Sequence, residues 1–446
     1  MENMFSGCKS LKSIDLLNFN TQNVTNMAYM FSGCVSLNPI YLSNFNTQKV
    51  TNISYMFYDC QSIAQINPTN FNTQNVINMA YMFSGCISLN NINLSNFNTV
   101  NVKYMHSLFS GCKLLKTIDL SNLKILKETD MENLVNGCNS LIKINLSKSN
   151  FLENFSIKTK RIEREIPSYL LQSLPKYGNF NYLGPFDFIT KYRKFREKYT
   201  DYEKYTNMKD IFNNSSISIN LSFSNVQNIK DMSYMFSHLE NLTSIDLSNF
   251  NAPNATNMKS KFYFCKALKS IDLSNLNAPN VTGISSMFSN CISLTSLNLI
   301  NLNGPNITDM GYIFNGCESL KSIDLSNSRF ENIIYLSSMF AGCNALMSVD
   351  LSNFNTQNVT DMSYMFFNCS LLKSINLSNF NTQKVVNMKG MFLNCGSLIN
   401  LNIYNFHINK KTNYKDIFKG CELLKKENVV IKDKILKNEL DQYIIY

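Results

Sequence analysis

Hydrophobic positions along most of the chain follow two spacings that alternate with each other. Residues six and eight positions after most of the cysteines are apolar, as at Ile92 and Leu94 after Cys86. This alternation places apolar side chains on one side of an extended segment and predicts a short β-strand. A second apolar group lies just before the cysteine at a spacing of four, as at Met79 and Phe83, and predicts one or two helical turns.

A polar turn such as NTQN joins the strand to the helix, and the complete unit repeats every 26 residues. The period is marked in two runs, by Cys8, Cys34, Cys60, Cys86, Cys112 and Cys138, and then by Cys265, Cys291, Cys317, Cys343, Cys369, Cys395 and Cys421. A fixed period of this length is typical of a solenoid, in which each unit buries its apolar face against its neighbours. The sequence therefore predicts an α/β solenoid, a right-handed coil with a parallel β-sheet on one face and short helical turns on the other.

The repeat is interrupted once, which divides the chain into four predicted segments. Residues 1–150 form a first array of six cysteine-marked repeats that starts in the middle of a repeat, and residues 207–421 form a second array. Residues 151–206 form a basic, partly helical insertion, and residues 422–446 form a C-terminal cap or tail. Because a complete solenoid usually starts with a capping unit, we expect that a segment precedes residue 1 or that the start lies within an older array.

The insertion carries aromatic residues at helical spacing, namely Phe188, Tyr192, Phe195 and Tyr199. This pattern predicts an amphipathic helix with an aromatic stripe and a basic opposite side. Two interpretations remain open. The helix packs over the solenoid, or it offers a basic and aromatic surface to an anionic partner.

The cysteine of each repeat allows four interpretations. A small buried thiol at the bend between helix and strand is favoured, because free cysteine is among the most buried residue types. Disulfides between adjacent turns are compatible with the expected spacing of the repeats. Zinc binding and catalysis are disfavoured, because no histidine recurs with the motif. Replacement of the cysteine by Leu239, and by Ser215 in the preceding repeat, also favours packing.

Charge and local motifs argue against nucleic-acid binding, a membrane span and enzyme activity. The net charge of +10 is concentrated in the insertion and the C-terminal segment, so the repeats lack a basic stripe and no nucleic-acid partner is expected. No apolar run is long enough to span a bilayer, and the N-terminus shows neither a signal peptide nor a lipid-attachment motif. No nucleophile–base pair, phosphate-binding loop or paired carboxylate stands out, so we predict no enzyme, no cofactor and no metal site.

The repeat, which can be written NVTNMSYMF-GC-SL-SIDLSNFNT, contains the LxxIxL spacing of a leucine-rich repeat. It resembles the BspA-like leucine-rich repeat surface proteins, in particular the mycoplasma-type lipoprotein branch with a repeat domain of unknown function. The resemblance covers nearly all of the chain outside the insertion and the tail. It implies a curved solenoid displayed on the cell surface, with adhesion or binding to host and matrix molecules as its function, and it implies no enzyme activity.

Outward-facing residues of the LxxIxL segment form the surface that such solenoids usually use for binding. The candidate binding face consists of Lys12, Asp15, Tyr41, Asp119, Asp246, Lys269, Asp272, Lys321, Asp324, Asp350 and Lys373. Stacked like charges repel each other, and interleaved asparagine and lysine would relieve that repulsion. The face is either a solvated, charge-balanced surface or a polar groove for a glycan or a protein, and a cation held by the row of aspartates is a further alternative for the groove. Equivalent cysteines of successive repeats should stack in a structural ladder inside the coil. Its representative members are Cys34, Cys60, Cys86, Cys291, Cys317, Cys343 and Cys369.

The leading functional prediction is a monomeric, non-catalytic solenoid that binds a protein or glycan ligand at the cell surface, in the manner of an adhesin. The alternative is an intracellular, cytoplasmic interaction scaffold, or a fragment of a longer surface protein. The ligand itself is not specified by any motif in the repeats.

Overall fold

The computed structural model describes residues 1–68, 71–126, 128–147, 217–221, 226–248, 250–274, 276–299, 306–325 and 330–443. Within these residues the secondary structure consists of short strands, one 3₁₀ turn at Lys426–Asn428 and one α-helix, α1, at Lys434–Tyr443. The strands are β1 Gln65–Ile66, β2 Asn91–Ile92, β3 Thr117–Asp119, β4 Lys143–Asn145, β5 Ile217–Asn220, β6 Leu242–Asp246, β7 Ser270–Asp272, β8 Ser296–Asn298, β9 Ser322–Ile323, β10 Ser348–Val349, β11 Ser374–Asn376, β12 Asn400–Asn402 and β13 Val429–Val430.

The strands pair in parallel with their neighbours along the chain. Between β7 and β8, Ser270 lies opposite Ser296 and Asp272 lies opposite Asn298, which is an offset of one repeat. The same offset joins β3 to β4 and β11 to β12. Some consecutive strands, such as β6 and β7, are not joined in one hydrogen-bonded sheet, but they still lie next to each other. The predicted parallel β-solenoid with a 26-residue repeat is therefore confirmed.

The opposite side of the coil, which we call the turn face, is built from β-turns. The N–H of Met30 donates to the C=O of Met27 at 3.4 Å, and Tyr29 between them has φ of 58°. A positive φ at the third residue is what a type II turn requires. The N–H of Phe31 then donates to the C=O of Met56 in the next repeat at 2.9 Å. Turns within a repeat thus alternate with hydrogen bonds between repeats.

Among the residues that the structure describes, the turn face contains β-turns in place of the short helical turns that were predicted. An α-helix needs its N–H groups to bond four residues back within the same segment. On the turn face, alternate N–H groups bond instead to the neighbouring repeat. Successive β-turns also return methionine and phenylalanine side chains to the interior at spacings of three and four, so the sequence pattern does not distinguish them from a helix.

Between the two faces, equivalent side chains stack into buried columns. The ring centroids of Phe31 and Phe57 are 5.6 Å apart, those of Phe57 and Phe83 are 5.8 Å apart, and the rings are nearly parallel. Met27 and Met79 are fully buried beside them. The apolar surface of each repeat is therefore covered mainly by the repeats on either side.

The sheet continues across the interruption of the repeat. β4 pairs with β5, so Ile144 lies opposite Ile219. The repeats that precede and follow the insertion are therefore direct neighbours in the coil. The insertion at 151–206, the helix predicted within it and Ser215 lie outside the described residues, and the four predicted segment boundaries stay predictions.

The C-terminal segment covers the last repeat. Leu436 and Leu440 of α1 are buried, and Lys426 forms a 2.8 Å ion pair with Asp441 of the helix. Strand β13 extends the sheet through Val429, which lies opposite Leu401. No helix in the described part of the chain combines the length and apolar character needed to cross a membrane.

Candidate ligand-binding face

The outward side of the strands, which we call the sheet face, presents three rows of side chains. Counted from the cysteine, the fourth residue is often lysine or threonine, the fifth is often serine, and the seventh is aspartate or asparagine. All the predicted binding-face residues are exposed on this side, namely Lys12, Asp15, Tyr41, Asp119, Asp246, Lys269, Asp272, Lys321, Asp324, Asp350 and Lys373. The strand geometry explains this, because alternate residues point away from the core.

The serine row is the most regular of the three. It runs through seven successive repeats from Ser218 to Ser374. Ser322 lies directly opposite Ser348, and the Ser244 hydroxyl donates to the Ser218 hydroxyl at 2.7 Å. Parallel pairing sets the backbones of neighbouring strands about 4.8 Å apart, which keeps successive serine side chains close to each other. The centre of the face is therefore a line of small groups that can both donate and accept hydrogen bonds.

The acidic row has a structural role in addition to its charge. Oδ1 of Asp272 accepts a hydrogen bond from the N–H of Ser274 at 2.9 Å. Oδ1 of Asn376 accepts the equivalent bond from the N–H of Ser378 at 3.1 Å. Both side chains hold the backbone turn that ends the strand. The turn therefore needs an acceptor at this position, and asparagine supplies it without a charge.

Hydrogen bonds favour the ionised form of two carboxyl groups in this row, Asp119 and Asp350. Burial raises the pKa of Asp119, but hydrogen bonds from Ser121 and Asn145 outweigh that effect and leave the pKa below its usual value. The pKa of Asp350 is lowered chiefly by hydrogen bonds from Ser352. A group that accepts hydrogen bonds in its charged form holds its proton less tightly. Asp119 and Asp350 are therefore negatively charged near neutral pH.

The predicted residues fall into groups along the coil. Lys269 and Asp272 lie one repeat from Asp246, and Lys321 and Asp324 lie one repeat from Asp350. Asn145 and Asn220 separate Asp119 from Asp246 in the acidic row. Lys373 extends the second group, whereas Lys12, Asp15 and Tyr41 belong to the first repeats and are remote from both groups. The densest alternation of lysine and aspartate lies in the second array.

The cysteines form a buried ladder on the inside of the coil. The Cys60 thiol donates to the C=O of Phe31 at 3.0 Å, and the Cys343 thiol donates to the C=O of Phe314 at 3.1 Å. All 13 cysteines are free, and all except Cys8 are buried. Burial raises the pKa of the Cys317 and Cys343 thiols well above the usual value for cysteine. These thiols are neutral hydrogen-bond donors, which makes them poor nucleophiles.

Metal binding finds no support at these positions. No group of three or more histidine, cysteine, aspartate or glutamate side chains in the described part of the chain is arranged to hold a metal ion. The aspartates of the sheet face are spread along the coil and engaged with backbone N–H groups. The idea of a cation held by the acidic row therefore gains nothing from the geometry.

Two features were missed when the sequence was considered alone. Lys261 replaces the methionine that recurs before the cysteine, and it is fully buried among Met232, Phe236, Phe250 and Phe262. The break in the methionine column was the available signal. The second feature is a column of tyrosines on the turn face, in which Tyr29, Tyr55 and Tyr81 each precede a Met-Phe pair. It was missed because that segment was expected to be helical.

The repeating coil of strands and turns defines a parallel β-solenoid of the leucine-rich-repeat type. Such solenoids generally serve as scaffolds that bind other molecules along an extended surface. The chain belongs to the family described as "Mycoplasma protein of unknown function, DUF285", which matches residues 1–68, 42–151, 206–328 and 308–430. The resemblance seen in the repeat is thereby confirmed.

Several solved structures are similar over most of their length. A leucine-rich repeat protein from Bacteroides ovatus is 18% identical, with a TM-score of 0.43, and the match covers 93% of this chain and 85% of that one. A leucine rich cell surface protein from Faecalibacterium prausnitzii is 14% identical, with a TM-score of 0.27 and coverages of 89% and 80%. A leucine-rich repeat protein from Eubacterium ventriosum is 15% identical, with a TM-score of 0.28 and coverages of 76% and 81%. No curated protein matches the sequence.

Proposed function

We propose that this protein is a non-catalytic binding solenoid whose sheet face recognises a protein or glycan ligand. The observation that carries the proposal is the exposed serine row between two polar rows. One row includes Lys269, Lys321 and Lys373, and the other includes Asp272, Asp324 and Asp350. Hydroxyl, ammonium and carboxylate groups in fixed register can pair with the polar groups of a glycan or a protein surface.

The charges of this face are separable from the needs of the fold. Asn376 makes the same backbone hydrogen bond as Asp272, so the turn does not require a carboxylate. Thr295 occupies the position of Lys269 in the adjacent repeat and donates its hydroxyl to the Lys269 C=O at 3.1 Å. The rows can therefore be made neutral with residues that the solenoid already uses at the same positions.

A sheet-face variant tests the proposal. It combines Asp272→Asn, Asp324→Asn and Asp350→Asn with Lys269→Thr, Lys321→Thr and Lys373→Thr. Wild-type protein is first screened on arrays of glycans and extracellular matrix proteins. We expect the variant to bind the ligand found there about ten-fold more weakly or worse, since each lost charged contact costs on the order of 1 kcal/mol.

A second variant serves as the matched control. Lys49→Asn and Lys384→Asn remove two exposed charges away from the sheet face, and asparagine already occupies this position as Asn75 and Asn101. The control should bind like the wild type. If the sheet-face variant also binds like the wild type, the ligand does not use this face.

We also propose that the solenoid is displayed on the cell surface as an adhesin-like protein, which rests on the resemblance of the repeat to BspA-like surface proteins. Antibody labelling of intact and permeabilised source cells tests this directly. Labelling of intact cells is the expected result. Labelling only after permeabilisation would instead favour the intracellular scaffold.

A further inference from the structure

The fourth residue after each cysteine forms one edge of the sheet face, and in the second array we call this edge the lysine row. Lysine alternates there with uncharged residues, and the order along the coil is Lys269, Thr295, Lys321, Met347, Lys373 and Ile399. Neighbouring lysines of the row are therefore separated by two repeats. The serine row and the acidic row beside it do not follow this double period, so among the three rows the alternation is specific to the lysine row.

Backbone hydrogen bonds hold the lysine row in register. The C=O groups of Lys269, Lys321 and Lys373 each accept the N–H of the uncharged residue in the next repeat at 2.9 Å. All six side chains of the row are exposed. Because neighbouring strands of a sheet are about 4.8 Å apart, the lysines recur about every 10 Å along the coil. Their ammonium groups are therefore arranged as a periodic line and not as a patch.

The positive charges of the lysine row are not neutralised by the aspartates of the same face. Within the described part of the chain, Lys269, Lys321 and Lys373 form no ion pair. The acidic row lies three residues further along the strand, which is about 10 Å. Oδ1 of Asp272 and Oδ1 of Asp350 each accept a backbone N–H at the strand end. The face therefore has a cationic edge and a hydrogen-bond acceptor edge, with hydroxyl groups between them.

A period of about 10 Å fits protein segments poorly. In an extended peptide this length corresponds to three residues, and side chains three residues apart point to opposite faces. In an α-helix it corresponds to nearly two turns, so one acidic residue in about seven would match the lysines. Helices dock into grooves through an apolar stripe, however, whereas the centre of this face is the polar serine row. The row therefore favours a partner of a different class.

An extended polysaccharide matches both the period and the polar centre of the face. Each sugar advances by about one strand spacing, so two sugars span the distance between neighbouring lysines of the row. When every second sugar carries a carboxylate, the carboxylates follow one edge of the polymer with the period of the lysines. The hydroxyl groups of the sugars both donate and accept hydrogen bonds, as the serine hydroxyls do. Charge and period therefore indicate the same class of ligand.

We propose that the lysine row binds an extended acidic polysaccharide that carries a carboxylate on every second sugar. The polymer runs along the coil with one sugar over each repeat, and its carboxylates accept charge-assisted hydrogen bonds from Lys269, Lys321 and Lys373. Sugar hydroxyls exchange hydrogen bonds with the serine row and donate to the acidic row. This inference rests on the sheet face being the ligand-binding surface, as proposed above, and it specifies the class of ligand.

Exchanges within the row change the spacing of the lysines and leave the net charge unchanged. The out-of-register variant combines Lys321→Met with Met347→Lys, so its lysines are separated by three repeats and then by one. The shifted variant adds four substitutions to these two, namely Lys269→Thr, Thr295→Lys, Lys373→Ile and Ile399→Lys. It restores the two-repeat spacing one repeat further along the coil. Every residue introduced already occupies the row elsewhere, and circular dichroism and thermal unfolding confirm that both variants are folded.

The probe is a fluorescently labelled oligosaccharide of alternating glucuronate and N-acetylglucosamine, long enough to span the row. In its neutral counterpart each carboxylate is reduced to a hydroxymethyl group, and a helical peptide with one glutamate in every second turn represents a protein ligand. Fluorescence anisotropy is measured over a titration with the full chain at physiological ionic strength. We expect saturable binding of the acidic oligosaccharide to the wild type and to the shifted variant. The out-of-register variant should bind it about five-fold more weakly, because one of three charged contacts is lost.

Equal binding by the wild type and the out-of-register variant would overturn the proposal, because charge without spacing would then be sufficient. A shifted variant that does not regain affinity, equal binding of the neutral oligosaccharide, or tighter binding of the helical peptide would overturn it as well. If the wild type does not bind the acidic oligosaccharide but the neutralised sheet-face variant described above loses another ligand, only the class of ligand is wrong. If that variant still binds the acidic oligosaccharide, the sheet face is not the binding surface and both proposals fail.

Discussion

Lys261 places an amino group inside a column that is otherwise apolar in the described repeats. The equivalent residues one repeat away are Met235 and Met287, and both are buried. The Nζ atom lies 4.5 Å from the centroid of the Phe250 ring and 3.7 Å from Sδ of Met232. Burial lowers the pKa of Lys261 to about 7. Aromatic rings offset part of the cost of burying an ammonium group, but not all of it.

At the residue scale we predict that Lys261→Met stabilises the protein at neutral pH. The unfolded chain binds a proton at Lys261 below about pH 10.4, whereas the folded chain binds it fully only below about pH 7. The destabilisation by Lys261 therefore grows as the pH falls from about 10.4 to about 7 and is constant below that. The gain from the substitution should reach on the order of 4 kcal/mol at and below pH 7.

Urea unfolding of the variant and the wild type between neutral and alkaline pH measures this difference. The gain should shrink steadily as the pH rises, because Lys261 is then neutral in both states. Lys259→Met is the control, since Lys259 is exposed two residues away and should show no such gain. A gain that does not change with pH would mean that volume, and not charge, limits stability at this position.

At the scale of the structural element, the corner after the strand is held by a threonine ladder. The Thr47 hydroxyl donates to the C=O of Asn72 at 3.0 Å and accepts from the N–H of Asn72 at 2.7 Å. One side chain therefore satisfies both backbone groups of a residue in the next repeat. Where Ala252 replaces threonine, its N–H donates directly to the C=O of Asn277 at 3.1 Å. The corner is therefore held either by a threonine hydroxyl or by a direct backbone hydrogen bond. Each arrangement fixes the register between neighbouring repeats.

We predict that Thr47→Val destabilises the protein by about 1–3 kcal/mol, because it leaves the N–H and C=O of Asn72 without their partner. Valine has nearly the same shape as threonine, so the loss reports the hydroxyl and not a cavity. Thr51→Val is the comparison, since Thr51 is exposed and its hydroxyl makes one 3.2 Å bond. Chemical denaturation should show little change for Thr51→Val. Equal losses at the two positions would argue against the ladder.

At the scale of the whole molecule, each repeat is stabilised by the repeats beside it. The Cys369 thiol bonds to the C=O of Phe340, and the Phe340 ring stacks on Phe366 at 5.6 Å. Contacts of this kind depend on the 26-residue period and not on a particular repeat. Stability should therefore behave as a sum over neighbouring repeats.

We predict that deletion of one full period, residues 344–369, leaves a folded solenoid. The Cys395 thiol, which now donates to the C=O of Phe366, would then donate to the C=O of Phe340. Equivalent side chains on the two sides of the deletion would stack on each other. Deletion of half a period, residues 344–356, should prevent folding of the neighbouring repeats because strands would face turns. Circular dichroism, thermal unfolding and size-exclusion chromatography distinguish these outcomes. Two deletions of equal effect would contradict the nearest-neighbour description.

Much of the coil follows from sequence periodicity alone. The spacing of Ile92 and Leu94 from Cys86 determined that this segment is extended and that alternate side chains are buried. The constant 26-residue period required that equivalent residues stack, because no single repeat can bury its own apolar face. The outward position of Lys321 and Asp324 follows from the same alternation.

The tertiary structure decided how the turn face is built and what its side chains do. Spacings of three and four fit both a helix and successive type II turns, and only the hydrogen bonds between repeats, such as Phe31 to Met56, select the turns. These turns place Tyr29, Tyr55 and Tyr81 in a surface stack. The partners of an aspartate such as Asp272 are likewise set by the strand end. The sequence determined which residues stack, and the tertiary hydrogen bonds decided which of them became surface.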